Sequence, residues 1–198
     1  MKILHIDTAT TGENSVTREL TQAAVDHFKA TNPDAEVTTL DLGNNPLPHL
    51  SPATTGAIRL PEEAHTEEMK AAFAGERAVF DQFMASDVVI IGAPMYNFTI
   101  PSSLKSWIDR LGVPGKSFSY SEAGPKGLCG GRRVIVLSSR GGEYEFDGPM
   151  EHQESYLRDF FGFIGIDDVE FIRAEKIGFG PEVRAAAIAD AKEEIAAL

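Results

Sequence analysis

The segment 87–98 joins an unbroken apolar run to a short loop that carries a carboxamide and two aromatic rings. The run 87–93 is rich in β-branched residues, which predicts a strand covered on both faces. Pro94 has no N–H group for a sheet ladder, so we expect the backbone to turn there. Ligands of open α/β sheets bind beyond the carboxyl ends of the strands. The loop therefore predicts a crevice for a flat heteroaromatic molecule with a hydrogen-bonding edge, lined by Met95, Tyr96, Asn97 and Phe98.

Two other predicted strands end in loops of the same kind. Residues 2–7 run into the loop 8–17, which brings four threonines, a serine and an asparagine to the start of a helix. Backbone N–H groups and the positive end of the helix dipole favour an anion there, so this loop predicts a phosphate cradle. Residues 132–138 run into 139–142, where Gly141 and Gly142 allow a ligand close to the backbone. We expect the three loops to meet at one edge of the sheet.

Strand and helix patterns alternate five times along the chain, with no internal repeat and no linker between domains. We therefore predict a single α/β domain that spans residues 1–198. Short βα units with apolar parallel strands favour a flavodoxin-like, doubly wound sheet of five parallel strands in the order 2-1-3-4-5. The predicted strands are 2–7, 35–41, 87–93, 132–138 and 168–173. The predicted helices are 15–31, 66–85, 102–111, 151–165 and 182–197.

The composition is that of an acidic protein, because 30 acidic and 18 basic residues give a formal net charge of −12. Such a charge repels nucleic acid and anionic membrane surfaces, so we expect neither as a partner. No stretch approaches the roughly 20 apolar residues of a membrane helix, and the chain starts with a strand pattern instead of a signal peptide. One cysteine, Cys129, leaves no internal disulfide. We expect a cytoplasmic protein.

Motifs of other enzyme classes are incomplete or missing. Gly115-Lys116-Ser117 is similar to the end of a phosphate-binding P-loop, but Arg110 stands where that loop needs a glycine. The sequence contains no Gly-x-Gly-x-x-Gly, no Gly-x-Ser-x-Gly and no metal-ligand spacing among its five histidines. We therefore expect no metal site, no hydrolase triad and no separate dinucleotide-binding unit.

The chain resembles the FMN-dependent NADH:azoreductases and quinone reductases, a family of flavodoxin-like fold. The resemblance extends over essentially the whole chain and is carried by the segments 93–98, 138–142 and 162–166. It implies FMN as the cofactor, with phosphate contacts from Thr8, Ser15, Val16 and Thr17. It also implies that the isoalloxazine ring and ribityl chain are held by Met95, Tyr96, Asn97, Phe98, Ser139, Arg140, Gly141 and Gly142. The alternatives are core packing for the aromatic rings, a turn role for Asn97 and a surface ion pair for Arg140.

Two connections are longer than βα units need: the proline-rich segment 42–65 and the glycine-rich segment 112–131. Loops of this length are usually functional or disordered. The resemblance implies a homodimer in which loops of one chain complete the active site of the other. It implies substrate contacts from Arg59, Phe118, Tyr120 and Phe163. The alternatives are solvent-exposed connections for both segments and core packing for Phe163.

The resemblance implies one main function. The protein would be an oxidoreductase that takes two electrons from NADH and passes them to quinones or aromatic azo compounds by a ping-pong mechanism. The flavin would carry the chemistry, so we predict no side chain as catalytic acid, base or nucleophile. The alternatives are a flavodoxin-like electron carrier that binds FMN but no small substrate, and an interaction module that keeps only the fold.

Overall fold

A computed structural model describes residues 1–198. The strands are β1 (Lys2–Asp7), β2 (Glu36–Asp41), β3 (Val88–Pro94), β4 (Phe118–Ser121), β5 (Gly124–Gly127), β6 (Arg133–Ser139) and β7 (Val169–Ala174). The α-helices are α1 (Val16–Thr31), α2 (Pro52–Arg59), α3 (Glu67–Met84), α4 (Ser102–Ile108), α5 (Glu154–Phe163) and α6 (Pro181–Ala196). None of these helices is long and apolar enough to cross a membrane.

Five strands form one parallel sheet in the order β2-β1-β3-β6-β7. Counted among the parallel strands alone, this is the order 2-1-3-4-5, so the fold prediction is confirmed. The register sets the carboxyl ends of β1, β3 and β6 side by side, since Asp7 lies opposite Gly92 and Pro94 lies opposite Ser139. From β1 the chain crosses to β2 on one side, and from β3 it crosses to β6 on the other, which opens a crevice at this edge.

Two apolar cores cover the two faces of the sheet. Ile3 of β1 packs in the core formed with α1 and α6, whereas its neighbour Leu4 packs in the core formed with α3, α4 and α5. Val89 and Ile90 of β3 divide between the two cores in the same way. All seven residues of β3 are buried, which explains why this strand is a continuous apolar run in the sequence.

The two long connections contain secondary structure that the sequence pattern did not predict. Segment 42–65 includes α2, where Ser51 and Thr54 form a capping box and Pro52 occupies the first helical position. Segment 112–131 folds into the antiparallel hairpin of β4 and β5. Both segments therefore present their side chains from ordered elements.

The turn that we expected at Pro94 lies further along the chain, because β3 includes Pro94. β1 ends opposite Gly92, so no strand flanks Pro94 on that side and its missing N–H group breaks no ladder bond. The hydrogen bond to β6 comes from the next residue, Met95, whose N–H donates to the Ser139 carbonyl at 2.8 Å. The chain then turns at Tyr96.

Candidate functional site

A cleft of about 160 Å³ opens at the carboxyl ends of β1, β3 and β6. Cavities that enclose a drug-sized ligand usually measure roughly 300–1,000 Å³, so this cleft would enclose such a ligand only in part. The structure thus brings the three predicted loops together. Six of the predicted cofactor residues line the cleft: Ser15, Val16, Met95, Tyr96, Ser139 and Gly141.

At one end of the cleft lies the start of α1. Ser15 is the N-cap residue, and its Oγ accepts a hydrogen bond from the Arg18 N–H at 3.2 Å. The N–H groups of Val16 and Thr17 belong to the first helical turn and have no partner within the chain. The Thr17 hydroxyl lies 3.2 Å from Ser15 Oγ. Thr17 is completely buried and does not line the cleft, so this end offers an anion the free Val16 N–H and the Ser15 hydroxyl.

Two polar groups near this end are already used inside the protein. Thr8 is completely buried, and its hydroxyl donates to the Gly92 carbonyl at 2.6 Å, so its side chain does not reach the cleft. Arg18 donates to Asp41 at 3.0 Å and to the Ala9 carbonyl at 3.2 Å. Its hydrogen bond lowers the pKa of Asp41 to about 2. Thr8 and Arg18 hold the loop in place instead of facing a ligand.

Arg184 is a residue of this site that the sequence did not reveal to us. It lies near the start of α6, and its Nη2 donates to the Asn14 carbonyl at 3.1 Å. Arg184 is the only charged residue that lines the cleft. A cation close to a helix N-terminus opposes the helix dipole, and this is the signal that could have drawn attention to it. The chain as a whole is acidic, but this cleft carries a positive charge.

The turn 96–99 borders the other end of the cleft. It is a two-residue turn in which the Tyr96 N–H donates to the Thr99 carbonyl at 2.9 Å and the Thr99 N–H donates to the Tyr96 carbonyl at 3.2 Å. Asn97 and Phe98 have positive φ angles of 50° and 72°. A bulky side chain in the left-handed region costs roughly 1–2 kcal/mol, and such strain concentrates at functional sites. The N–H groups of both residues have no partner within the chain.

Tyr96 links two of the loops. Its hydroxyl accepts a hydrogen bond from the Thr10 N–H and lies 3.1 Å from the Thr10 hydroxyl. The loop after β1 and the loop after β3 are therefore held to each other at the rim of the cleft.

Gly141 and Gly142 present their backbone in a way that suits a ligand. Their carbonyl groups accept hydrogen bonds from Gly178 and Lys176, while their own N–H groups have no partner within the chain. A Cβ atom built on Gly141 would meet no protein atom within 4 Å, so the space beside this residue is open. The pair therefore supplies two further free donors at the end of β6.

Arg140 is not among the residues that line the cleft, and its predicted contact with a cofactor stays a prediction. It is 1% exposed and lies within 3.3 Å of the carboxylates of Glu151, Glu154 and Glu175. Its N–H donates to the Ala174 carbonyl, and its carbonyl accepts from Ile177. The alternative for Arg140 was a surface ion pair. The structure shows an ion pair, but it is buried and involves three carboxylates.

The four predicted substrate residues lie outside this cleft. Phe118 packs against Phe163 and Tyr120, with ring centroids 4.7 Å and 5.5 Å apart. The Tyr120 side chain projects from this aromatic group and is 73% exposed. Arg59 lies at the end of α2 beside a separate cavity of about 620 Å³. Within one chain, these residues and the predicted cofactor loops occupy different surfaces.

A protein-family model described as a flavodoxin-like fold matches residues 1–198. The FMN-dependent NADH:quinone oxidoreductase of Rhizobium meliloti (strain 1021) is 51% identical to this chain over 99% of the chain and 96% of its own length. The chain belongs to this flavodoxin-like oxidoreductase family. Another member, the FMN-dependent NADH:quinone oxidoreductase of Bradyrhizobium sp. (strain BTAi1 / ATCC BAA-1182), is 50% identical over 100% of the chain and 99% of its own length.

A solved structure of the same oxidoreductase family has the same overall shape. The crystal structure of the azoreductase from Bacillus anthracis strain Sterne matches this chain with a TM-score of 0.88 at 30% identity. The match covers 100% of this chain and 97% of that one. The resemblance inferred from the sequence motifs is therefore confirmed.

Proposed function

We propose that this protein is an FMN-dependent oxidoreductase that transfers two electrons from NADH to quinones and aromatic azo compounds. The observation that carries the proposal is the set of unpaired backbone N–H groups that three loops place in or beside one cleft. Family members of about 50% identity are named for this cofactor and this activity. The proposal treats residues 1–198 as one FMN-binding domain of a cytoplasmic protein.

The donors of the cleft fit the two ends of FMN. The free Val16 N–H, the Ser15 hydroxyl and the Arg184 guanidinium would hold the phosphate, and the predicted phosphate contact of the buried Thr17 stays a prediction. These groups act over a few ångströms, whereas the acidic charge of the remaining surface is screened beyond about 8 Å at physiological ionic strength. The phosphate therefore meets a locally favourable site on a protein that is acidic overall.

The other donors would face the isoalloxazine ring, whose edge carries carbonyl and nitrogen acceptors. They are the N–H groups of Asn97, Phe98, Gly141 and Gly142. When bound, FMN supplies the redox chemistry, because its ring takes up two electrons from a reduced nicotinamide and gives them up to a quinone or an azo bond. These N–H groups would stabilise negative charge on the ring. No catalytic acid, base or nucleophile of the chain is required.

The cleft is too small to enclose a whole flavin, and we propose that NADH and the acceptor use its open side in turn. The two substrates then exclude each other, which gives ping-pong kinetics. The test varies NADH at several fixed concentrations of a soluble quinone. Parallel double-reciprocal plots are expected. Intersecting lines would show that both substrates bind together, and bound FMN without NADH oxidation would favour the electron carrier.

We further propose that the protein acts as a homodimer. Phe118, Tyr120, Phe163 and Arg59 stand away from the cleft of their own chain, and the exposed ring of Tyr120 leaves apolar surface uncovered. These residues would complete the open side of the cleft of a second copy and contact the substrate there.

Dilution tests the dimer. Activity per chain is expected to fall as the protein dissociates, because each site would lose the residues of its partner. Sedimentation measurements and NADH oxidation are followed over the same range of protein concentrations, with FMN in excess so that cofactor loss does not contribute. Full activity of a species of 21.4 kDa, the mass of one chain, would contradict the proposal.

The role of Arg184 is tested by Arg184→Gln. We expect the affinity for FMN to fall roughly tenfold, since a charge-assisted hydrogen bond contributes about 1.5 kcal/mol, whereas riboflavin has no phosphate and should bind nearly as before. Both flavins are titrated by fluorescence quenching. The matched control is Lys192→Gln, which removes a cation from the same helix that pairs with Glu19 at 2.7 Å on the surface. Equal effects of the two variants would show that Arg184 does not meet the phosphate.

A further inference from the structure

One buried side chain connects the two loops that we assign to the flavin ring. Gln153 is completely buried just before α5. Its Nε2 donates to the Ala93 carbonyl near the end of β3 at 2.8 Å, and its Oε1 accepts from Arg140 Nε directly after β6 at 3.3 Å. The amide thus joins the ends of two neighbouring strands at the points where their loops begin.

The orientation of this amide is fixed by its partners. A guanidinium can only donate and a backbone carbonyl can only accept, so the amide oxygen must face Arg140 and the amide nitrogen must face Ala93. Rotation of the amide by half a turn would set two donors against each other and two acceptors against each other. Gln153 is therefore a link of one defined geometry.

Charged neighbours hold this link in place. The Glu151 carboxylate accepts from the N–H groups of Gln153, Glu154 and Ser155 at 2.9, 2.8 and 3.2 Å. Burial raises the pKa of Glu151, but these three donors and Arg140 outweigh it and keep the pKa below its usual value. The ionised carboxylate fixes the backbone at Gln153 on one side, and Arg140 fixes its side chain on the other.

The backbone beside Gln153 binds the turn 96–99 as well. His152 N–H donates to the Phe98 carbonyl at 3.1 Å, and the His152 carbonyl accepts from the Thr99 hydroxyl at 3.0 Å. We call residues 151–153 the strap. It hydrogen-bonds both to the turn that carries the Asn97 and Phe98 donors and to the residue that precedes Gly141 and Gly142.

We infer that Gln153 is a positioning residue for the flavin ring. It sets the distance between the N–H groups of turn 96–99 and those of Gly141 and Gly142. Hydrogen bonds lose strength when donor and acceptor shift by a few tenths of an ångström, so a change in this spacing would weaken donors on both sides of the ring. The inference rests on the proposed function, since it needs a flavin in the cleft.

The test is Gln153→Met, which keeps the length of the side chain and removes both hydrogen bonds. FMN and riboflavin affinities are expected to fall by the same factor of about ten, because the ring is common to both. The donors stabilise the reduced ring more than the oxidised one, so the midpoint potential of bound FMN should also fall. A tenfold larger loss for the reduced form corresponds to about 30 mV for a two-electron couple.

A control separates positioning from simple loss of stability. Ser86→Ala removes a buried hydrogen bond of 2.7 Å to the Phe83 carbonyl, beside the opposite end of β3. It should lower stability and leave flavin affinity and potential unchanged. The inference is overturned if Gln153→Met behaves like Ser86→Ala.

A second variant covers the case in which Gln153→Met does not fold. Thr99→Val removes only the hydroxyl bond from the turn to His152, and a smaller fall in potential is expected. An unchanged midpoint potential of bound FMN in Thr99→Val would contradict the role of the strap in positioning the turn 96–99. If the wild-type protein binds no flavin, the proposed function itself fails. If the wild type binds flavin and Gln153→Met binds it equally well, only the inference about Gln153 fails.

Discussion

Replacement of Ser15 by aspartate is expected to expel FMN while riboflavin still binds. Ser15 is the N-cap of α1 and lines the cleft beside Val16, whose N–H group is free. Aspartate is a good N-cap, so the helix should form as before. Its charge would meet the phosphate, and two unit charges about 4 Å apart repel by roughly 4 kcal/mol at an effective dielectric constant of 20. This corresponds to a loss of nearly a thousandfold in FMN affinity.

Titration of wild type, Ser15→Asp and Ser15→Asn with FMN and riboflavin measures this effect. Ser15→Asn is the matched control, because asparagine also caps a helix but carries no charge. It should bind FMN with nearly the wild-type affinity. If Ser15→Asp weakens both flavins equally, or neither, then Ser15 does not lie at the phosphate.

Replacement of Arg140 by methionine is expected to lower the free energy of unfolding by about 3–5 kcal/mol, the usual effect of breaking a buried ion pair on one side. Arg140 is enclosed with the fully buried carboxylate of Glu154 at 2.7 Å and that of Glu151 at 3.2 Å. Without the guanidinium, these carboxylates stay buried with fewer partners. The matched control is Arg77→Met, whose exposed pairs with Glu62 and Asp81 should change stability by no more than about 1 kcal/mol.

The Arg140→Met effect should depend on pH, because Arg140 adds to the backbone N–H groups of Glu154, Gln153 and Ser155 that lower the pKa of Glu151 in the folded protein. A lowered carboxyl pKa contributes stability above the unfolded value of about 4.3, and this contribution is lost as the pH falls through the folded pKa. The difference between wild type and variant should therefore be larger at pH 7 than at an acidic pH below the folded pKa of Glu151. Urea unfolding at both pH values tests this. An equal difference at the two values would show that the carboxylate charges do not cause the effect.

The sheet and the position of the cleft could be predicted from the sequence because local pattern determines them. β1 matches its predicted range of 2–7, and β3 differs from its predicted range by one residue at each end. Both strands are buried on two faces, and the apolar run of β3 is unbroken, whereas His5 interrupts that of β1. The loops after parallel strands necessarily meet at one edge, which is why Ser15, Met95 and Gly141 are found on one cleft.

The remainder depends on contacts between residues far apart in the chain. Arg140 comes directly after a strand, which is where a ligand-binding residue is expected. Its buried carboxylate partners lie in the strap and in α5, and only the packing of these segments against β6 brings them to Arg140. Gln153 lies 60 residues from Ala93, and Arg184 lies 170 residues from Asn14, so no local pattern marks either contact. The helix α2 was missed because proline suggested an irregular loop, although Pro52 and its preceding serine form a regular helix start.

FMN binding and NADH oxidation at the cleft are tested together by the visible spectrum of the FMN-loaded protein under anaerobic conditions. One equivalent of NADH should bleach the absorption of the bound flavin, and one equivalent of a quinone should restore it. Such a result requires that the cleft binds FMN and that both substrates reach it. A protein that takes up no FMN at micromolar concentration, or whose bound flavin keeps its absorption after NADH is added, would contradict the account.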